Sequence, residues 1–552
     1  MEDSRSQAAG GARKKRWWTR WRLFALAAVI NIFLARAFWP VGRPEPTYSR
    51  ETTWYDGPVN FDGTVDYAAA LDARLGEGVT RETNAAVEFV RLFGPSSLRG
   101  DNASGTLERL GLEGLPDEGA YLRPLIIFIR EWVEAHPTDE ELALPEQTEQ
   151  SRAWDGIARR LVKKGSVSID GDAVQRLKGG QTRRRARSRR SSDIFVRVTG
   201  SPWSTEKYPF LAAYLDEHAA DLERLAALAR LPNWYVPIVS AHTPAWLSDR
   251  TMVSYLSLKG AADLLCARVM RCLHDGDIDA AWEDALTCHR LARLVATDAQ
   301  LFALMAGIGI EDVALHVDAA ICVQAGLSPE RARRYGEELA GMAPLRPIVE
   351  VLDCGERCGT LDIAAMTYRT KEFALDHDLM MRRINATFDA LVEAARLPPA
   401  AGRPAYEGIS DRFCSERDAL TARYKGWSGR FRSLLLSSWQ RRKLTSIVLS
   451  DVAMSVHLPA YTCVDAYVST EVERSLVRAA FAVAAYRAKQ GWFPPNAEAL
   501  VPGYIAEWPA DPFAGAPARW HDEAGTFTLY SVGPDGAEDG GDEEKDIVVV
   551  VH

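Results

Sequence analysis

GWFPPNAEALVPGYIAEWPADPFAGAPARWHDEAGTFTLYSVGPDGAEDGGDEEKDI, residues 491 to 547, concentrates more position-specific signals than any other part of the chain. The apolar stripe that precedes it, Val472, Leu476, Ala479, Val483 and Tyr486, has helical spacing. Gly491 can leave that helix at positive φ, and Pro494 and Pro495 bar a restart. Asn496 is placed to cap a short helix reaching Leu500. Pro509-Ala510-Asp511-Pro512 predicts a turn, and Thr526 to Tyr530 alternate as a strand does. A second turn, Gly533-Pro534-Asp535-Gly536, opens an acidic loop, and residues 547 to 551 close with a last strand.

The loop carries Asp535, Glu538, Asp539, Asp542, Glu543, Glu544 and Asp546, with Lys545 the one positive charge beside them. Glycines at 533, 536, 540 and 541 let the backbone turn sharply enough to aim several oxygens at one point. Hard oxygen ligands in a flexible loop suit Ca²⁺, which accepts six to eight of them. Without a cation, carboxylates at short range repel one another. By composition alone, a solvated acidic loop that keeps a sheet edge soluble is the plainer reading.

Several short motifs in this region resemble the C-terminal half of the type II secretion major pseudopilin. They are Tyr486-Arg487, Gly491-Trp492-Phe493-Pro494, Ala499-Leu500-Val501-Pro502, Pro509 to Phe513, Leu529 to Gly536, Gly540-Gly541 and Asp546-Ile547. The resemblance covers about the last 80 residues. It implies a helix followed by a small antiparallel sheet, with calcium held in the late loop. Carried over, the implied ligands are Asp535, Asp539, Asp542 and Asp546, with Ser531 as a further one. This places calcium ahead of the solvated loop. An extra acid before Gly540 departs from the family's register around Glu538 and Asp539. The short processed leader of a pseudopilin is not matched either, so the pilus role need not come with the fold unit.

With 552 residues the chain has room for several domains, and a net charge of -9 argues against nucleic acid as a partner. Arg13-Lys14-Lys15-Arg16, Arg20 and Arg22 precede an apolar run from Leu23 to Trp39. Trp17, Trp18, Trp21 and Trp39 suit the two interfaces, and Arg36 can snorkel. This pattern predicts a single transmembrane signal anchor with its N-terminus in the cytoplasm and the bulk of the chain outside, in the periplasm. A cleaved signal peptide is the competing reading, but Arg36-Ala37-Phe38-Trp39-Pro40 stands where small residues are needed.

Between the membrane segment and the C-terminal unit the pattern is helical. Asp66 to Leu75 predicts a helix ending at Gly76, and Thr80 a cap for the next. Asp277 is a predicted N-cap after the Asp275-Gly276 turn, and Ser328-Pro329 starts another helix. Gly307-Ile308-Gly309 lacks the third glycine and preceding strand of a nucleotide loop and predicts close helix packing instead. The run from Thr182 to Ser191, with six arginines, predicts an exposed loop open to proteolysis. Val65-Asp66-Tyr67, Trp203-Ser204-Thr205-Glu206, Gly276-Asp277, Ala281-Trp282, Cys288-His289-Arg290-Leu291-Ala292 and Gly355-Glu356-Arg357, in this order, resemble a group of large membrane-anchored bacterial proteins. That resemblance implies one architecture and carries no activity with it.

The expected fold is therefore mainly α. A cytoplasmic basic tail (1–22) leads into the transmembrane anchor (23–39) and a mostly helical region (40–164). A basic flexible insertion (165–202), a helical body (203–470) and a small α+β pseudopilin-like unit (471–552) follow. No HExxH, GxSxG, P-loop or CxxC occurs. Asp376-His377-Asp378 reads as a solvated helix face. Cys354 and Cys358, four apart, could share a metal on a helix but have no other soft ligand near, and disulfides are chemically allowed outside the cytoplasm. Asp353, Glu356 and Asp362, around Arg357, form the most polar group in an apolar helical run and are the catalytic candidates. Two functions follow. One is a non-enzymatic, membrane-anchored envelope protein, structural or binding, with envelope protein partners and a calcium-braced end. The other is an envelope hydrolase that uses those carboxylates.

Overall fold

Helix ends in this chain are set by local chemistry. Asp66 accepts from the Ala69 amide and starts α1 (Tyr67–Leu75). Asn84 accepts from the Ala86 amide and starts α2 (Ala85–Phe93). The expected cap Thr80 is spent instead on Thr83, the two hydroxyls lying 3.2 Å apart. The computed structural model describes residues 45–143, 183–324, 326–369, 375–424, 436, 438–455, 461–523, 525–542 and 544–551. The basic tail, the anchor at 23–39 and residues 165–182 of the insertion lie outside them, as does Glu543. Among the described residues no helix is long and apolar enough to cross a membrane.

After α3 (Leu125–Ala135) comes a departure from the sequence reading. Residues 183–200, expected as part of a flexible basic loop, form helix α4 (Arg183–Gly200). Arg190 donates to the Val133 and His136 carbonyls at the end of α3 and pairs with Glu141 at 3.3 Å. A helix C-terminus presents unsatisfied carbonyls and attracts cations, and that partner, distant in sequence, orders the run.

The body is built on α5 (Tyr255–Asp275), α6 (Ile278–Val295) and α7 (Leu301–Gln324), packed on one another. Gly276, in the left-handed region at φ 81°, turns the chain between α5 and α6, and Asp277 caps α6 as expected. Gly307 allows the close approach of α7 to α6, for a Cβ there would lie 2.8 Å from the Ala292 carbonyl oxygen. Ser328 caps α8 (Pro329–Gly341) with Pro329 in the first turn. Next comes α9 (Ile348–Val351), which runs through a π turn, Leu352–Glu356, into α10 (Arg357–Arg369). Helix α11 (His377–Arg396) is capped by Asp376, and His377 is buried rather than solvated.

The longest helix, α12 (Tyr461–Gln490), packs along α7 and α8 and then against the C-terminal sheet. Phe481 meets the stacked pair Trp282 and Tyr335 edge-on. The expected boundary at 470/471 falls inside this helix. Gly491, at φ 85°, ends it. Beyond lie a one-turn helix at Ala497–Ala499, capped by Asn496, and the short pair β1 (Ala510–Asp511) and β2 (Ala516–Pro517). The sheet proper is β3 (Arg519–Glu523), β4 (Thr526–Ser531) and β5 (Ile547–Val551), antiparallel in that order, with Arg519 opposite Tyr530 and Ser531 opposite Ile547. Leu529, Phe527, Val549 and Val551 are buried. The chain is thus mainly helical with a small C-terminal antiparallel sheet.

Candidate functional site

The acidic loop joins β4 to β5. All four of its glycines, 533, 536, 540 and 541, have φ between 65° and 82°, so the loop uses the freedom that only glycine gives cheaply. Asp535 accepts from the Ala537 amide at 2.9 Å and Asp542 from the Glu544 amide at 3.0 Å, each closing its own local turn. Asp539 pairs with Lys545 at 2.8 Å, and that hydrogen bond raises the lysine's pKa. Glu538 pairs with Arg519 at 3.3 Å across the sheet edge.

Asp546 differs from these. It is buried, one oxygen accepts from the Gly541 amide at 2.7 Å, and the other is buried without a hydrogen-bond partner. Ser531 is buried as well, its hydroxyl accepting from the Gly533 amide at 3.3 Å. Among the described residues no group of three or more His, Cys, Asp and Glu side chains is placed to hold a metal ion. The five residues Ser531, Asp535, Asp539, Asp542 and Asp546 thus lie along one loop, but their oxygens are engaged separately. Asp539 has to release Lys545 before it can serve a cation.

The helical carboxylates are also held apart. Asp353 sits 2.6 Å from the Arg357 guanidinium, which also binds Asp389 at 2.8 Å and the Asn385 carbonyl at 3.1 Å. Arg357 itself is fully buried and lies 4.0 Å from the centre of the Trp54 ring. Glu356 accepts from the Leu301 amide at 2.9 Å, at the start of α7. Asp362 accepts from the Leu247 amide at 2.7 Å, and burial pushes its pKa up to about 6. Each of the three has a separate structural partner, so the π turn does not gather them as an acid/base set.

A cluster that the sequence reading did not single out lies in the core. His289 on α6 bridges two carboxylates of α7, Glu311 from Nδ1 and Asp318 from Nε2, both at 2.9 Å, and all three are completely buried. Arg293 adds a two-pronged contact to Glu311 at 2.7 and 3.0 Å. Burial opposes charge on His289, but the two carboxylates outweigh it and hold the ring at about 9. Burial likewise opposes the Glu311 carboxylate, yet His289 and Arg293 bring it down to about 2. Among the described residues Asp318 bonds His289 alone and keeps one oxygen without a hydrogen bond, and burial pushes it up. Glu473 on α12 is raised to about 7 by burial and by Asp312, Glu311 and Asp318, and Asp312 to about 6 by burial. The available signal was three acids in the otherwise apolar run of α7, with Glu311 and Asp318 two turns apart on one face.

In comparisons with family models, with curated proteins and with solved structures, nothing matches the chain.

Proposed function

We propose that this protein is a non-enzymatic, membrane-anchored component of the cell envelope, with its helical body outside the cytoplasm and its C-terminal loop braced by calcium. The observation that carries the calcium reading is Asp546. A buried carboxylate oxygen with no donor is costly, and a bound cation relieves that cost. The residues can serve such an ion only if Asp539 leaves Lys545 and the loop also draws Asp535, Asp542 and Asp546 together, since no three acids stand so placed among the described residues. Asp535, Asp542 and Asp546 are then the further carboxylate donors, and the ion supplies charge neutralisation and a fixed loop. The resemblance to the pseudopilin sheet and its late loop supports the same reading. For the anchor, the support is the basic cluster from Arg13 to Arg22 ahead of the apolar run from Leu23 to Trp39. The separate engagement of Asp353, Glu356 and Asp362 favours a structural or binding role over hydrolysis.

Thermal unfolding of the full chain in detergent, with calcium, with magnesium and with chelator, tests this. A ligand bound to the folded state alone stabilises it by about 2.7 kcal/mol at a hundredfold excess over Kd. Calcium is expected to raise the midpoint, magnesium much less, since it demands tighter octahedral geometry. Replacing Asp535 and Asp546 together by alanine is expected to abolish the gain. Equal midpoints in calcium and chelator leave the loop as a solvated edge. A C-terminal reporter active only outside the cytoplasm tests the topology, and silence despite normal expression rejects it.

A further inference from the structure

Cys354 lies within the π turn and Cys358 in the first turn of α10. Three polar groups neighbour the Cys354 sulfur. Arg74, in the last turn of α1, reaches it from Nη1 at 3.3 Å. The Tyr55 hydroxyl lies 3.9 Å away, and Cys358 follows four residues along the chain. The chain before Tyr55 is strained to make this possible. Trp54 has φ 65°, a conformation costly for a bulky side chain. Two consecutive rings thereby meet this junction, Trp54 over Arg357 at the start of α10 and Tyr55 beside Cys354 in the π turn. π turns inside α-helices frequently mark functional positions.

Such a setting favours the thiolate. The hydrogen bond from Cys358, and then the Arg74 charge, lower Cys354 to about 6 against the penalty of burial. Cys358 moves the other way, well above the ordinary thiol value, because its proton is shared with Cys354 and because it is buried. Of the two sulfurs, the one beside the Arg74 guanidinium is favoured as the thiolate and its neighbour as the thiol. Cys266, Cys288 and Cys322, by contrast, are buried among apolar side chains and pushed up by burial.

We propose that Cys354 and Cys358 form a hydroperoxide-reactive dithiol, with Cys354 as the attacking sulfur and Cys358 as the resolving one. Cys354 is only 6% exposed, beneath the exposed Arg74 and half-buried Tyr55. Such cover excludes a protein disulfide and leaves a small neutral oxidant as the co-reactant. The guanidinium 3.3 Å from the sulfur also disfavours a soft metal cation. The thiolate attacks one peroxide oxygen and the O–O bond breaks. Cys354 becomes a sulfenic acid, and the departing hydroxide takes the Cys358 proton as water. The Cys358 sulfur then attacks the Cys354 sulfur, the S–O bond breaks, and the second hydroxide takes a proton from solvent. With hydrogen peroxide, two thiols and one oxidant thus give one disulfide and two waters; an organic hydroperoxide leaves as its alcohol with one water. Four residues along a helix span about 6 Å, within the Cα separation a disulfide bridges.

The test is brief exposure of the full-length protein to hydrogen peroxide at pH 7. Alkylation of the remaining thiols and peptide mass spectrometry then follow each cysteine. Cys354 and Cys358 are expected to lose their thiols together, at least tenfold faster than Cys266 and Cys288, as an internal disulfide. With Cys358→Ser the reaction should stop at a Cys354 sulfenic acid that a dione reagent traps. Arg74→Ala should slow Cys354 at least tenfold and move the pH midpoint of its alkylation upward, and Arg74→Lys should restore part of the rate. Reaction of Cys354 no faster than that of Cys266 and Cys288 in the wild-type protein overturns the proposal, whatever the variants do. So does sulfenic acid at Cys354 without a bond to Cys358.

Discussion

Replacing His289 by alanine isolates the buried charge cluster. The change removes both contacts to Glu311 and Asp318 at once. Glu311 keeps Arg293, but Asp318 loses the one hydrogen-bonded partner it has among the described residues, inside a fully buried site. Removing one partner of a buried pair costs about 3–5 kcal/mol, because the charge left behind stays desolvated. The proton balance gives an independent figure. Raising a histidine from 6.5 to about 9 corresponds to about 3 kcal/mol. That figure is an upper bound for the cluster: the attraction that lowers Glu311 is the same one that raises His289, and Asp318 is pushed up by burial. The sign of the pH dependence follows directly. The folded state holds the imidazole proton more tightly than the unfolded chain, so the stabilisation is complete below pH 6.5 and is lost as pH rises through about 9. Urea or thermal unfolding at intervals from pH 6 to 9.5 measures both effects. Wild type should weaken across that range, and His289→Ala should start lower and change less. A His289→Ala cost under about 1 kcal/mol, with parallel pH profiles for the two proteins, would refute the role assigned to the cluster.

Three further outcomes follow from the same physics. Glu473→Gln should stabilise the protein at pH 8 and remove the loss of stability between pH 4.5 and about 7, since a carboxylate raised by burial weakens the fold as it ionises; paired pH-dependent unfolding curves check this. Asp511→Ala should cost about 2–5 kcal/mol, because three backbone amides, of Phe513, Ala514 and Val532, lose their acceptor; differential scanning calorimetry reads it. Gly355→Ala should destabilise by at least about 3 kcal/mol, because its Cβ would lie 1.8 Å from the Ala299 carbonyl oxygen and backbone must move; its unfolding midpoint beside that of Gly359→Ala, where a Cβ meets nothing, provides the control.

What could be read from the sequence was mostly what a few neighbouring residues decide. Asp277, Ser328, Gly491 and Asn496 end or begin helices because their own side chains or φ angles do so, wherever the rest of the chain goes. The β4 strand was legible through its alternation. The basic run at 183–190 was not, because its order depends on carbonyls more than fifty residues earlier. Asp376-His377-Asp378 misled in a similar way, since Asp376 spends its carboxylate on the Leu379 amide and His377 turns inward. The acidic loop was correctly located between two strands, but local pairings such as Asp539 with Lys545 are a matter of rotamers and not of spacing. The His289 cluster needed the docking of α6 on α7 before its three members became neighbours.

Helix α12 runs unbroken from Tyr461 to Gln490, a rod of about 45 Å. At one level Thr470 donates to Asp312 at 3.0 Å and Glu473 lies beside the buried charges. At the other, the same helix is the floor on which the C-terminal sheet rests. A rod clamped at both levels has no hinge, so the sheet cannot swing independently of the bundle. A force applied at the 533–546 loop, by an ion or by a docking partner, is carried as a lever arm's load into the charged interior. Cutting the chain at 470/471 would sever α12 within its first half. It would separate Glu473 from Asp312, Glu311 and Asp318 and uncover the faces of α7 and α8 that α12 covers.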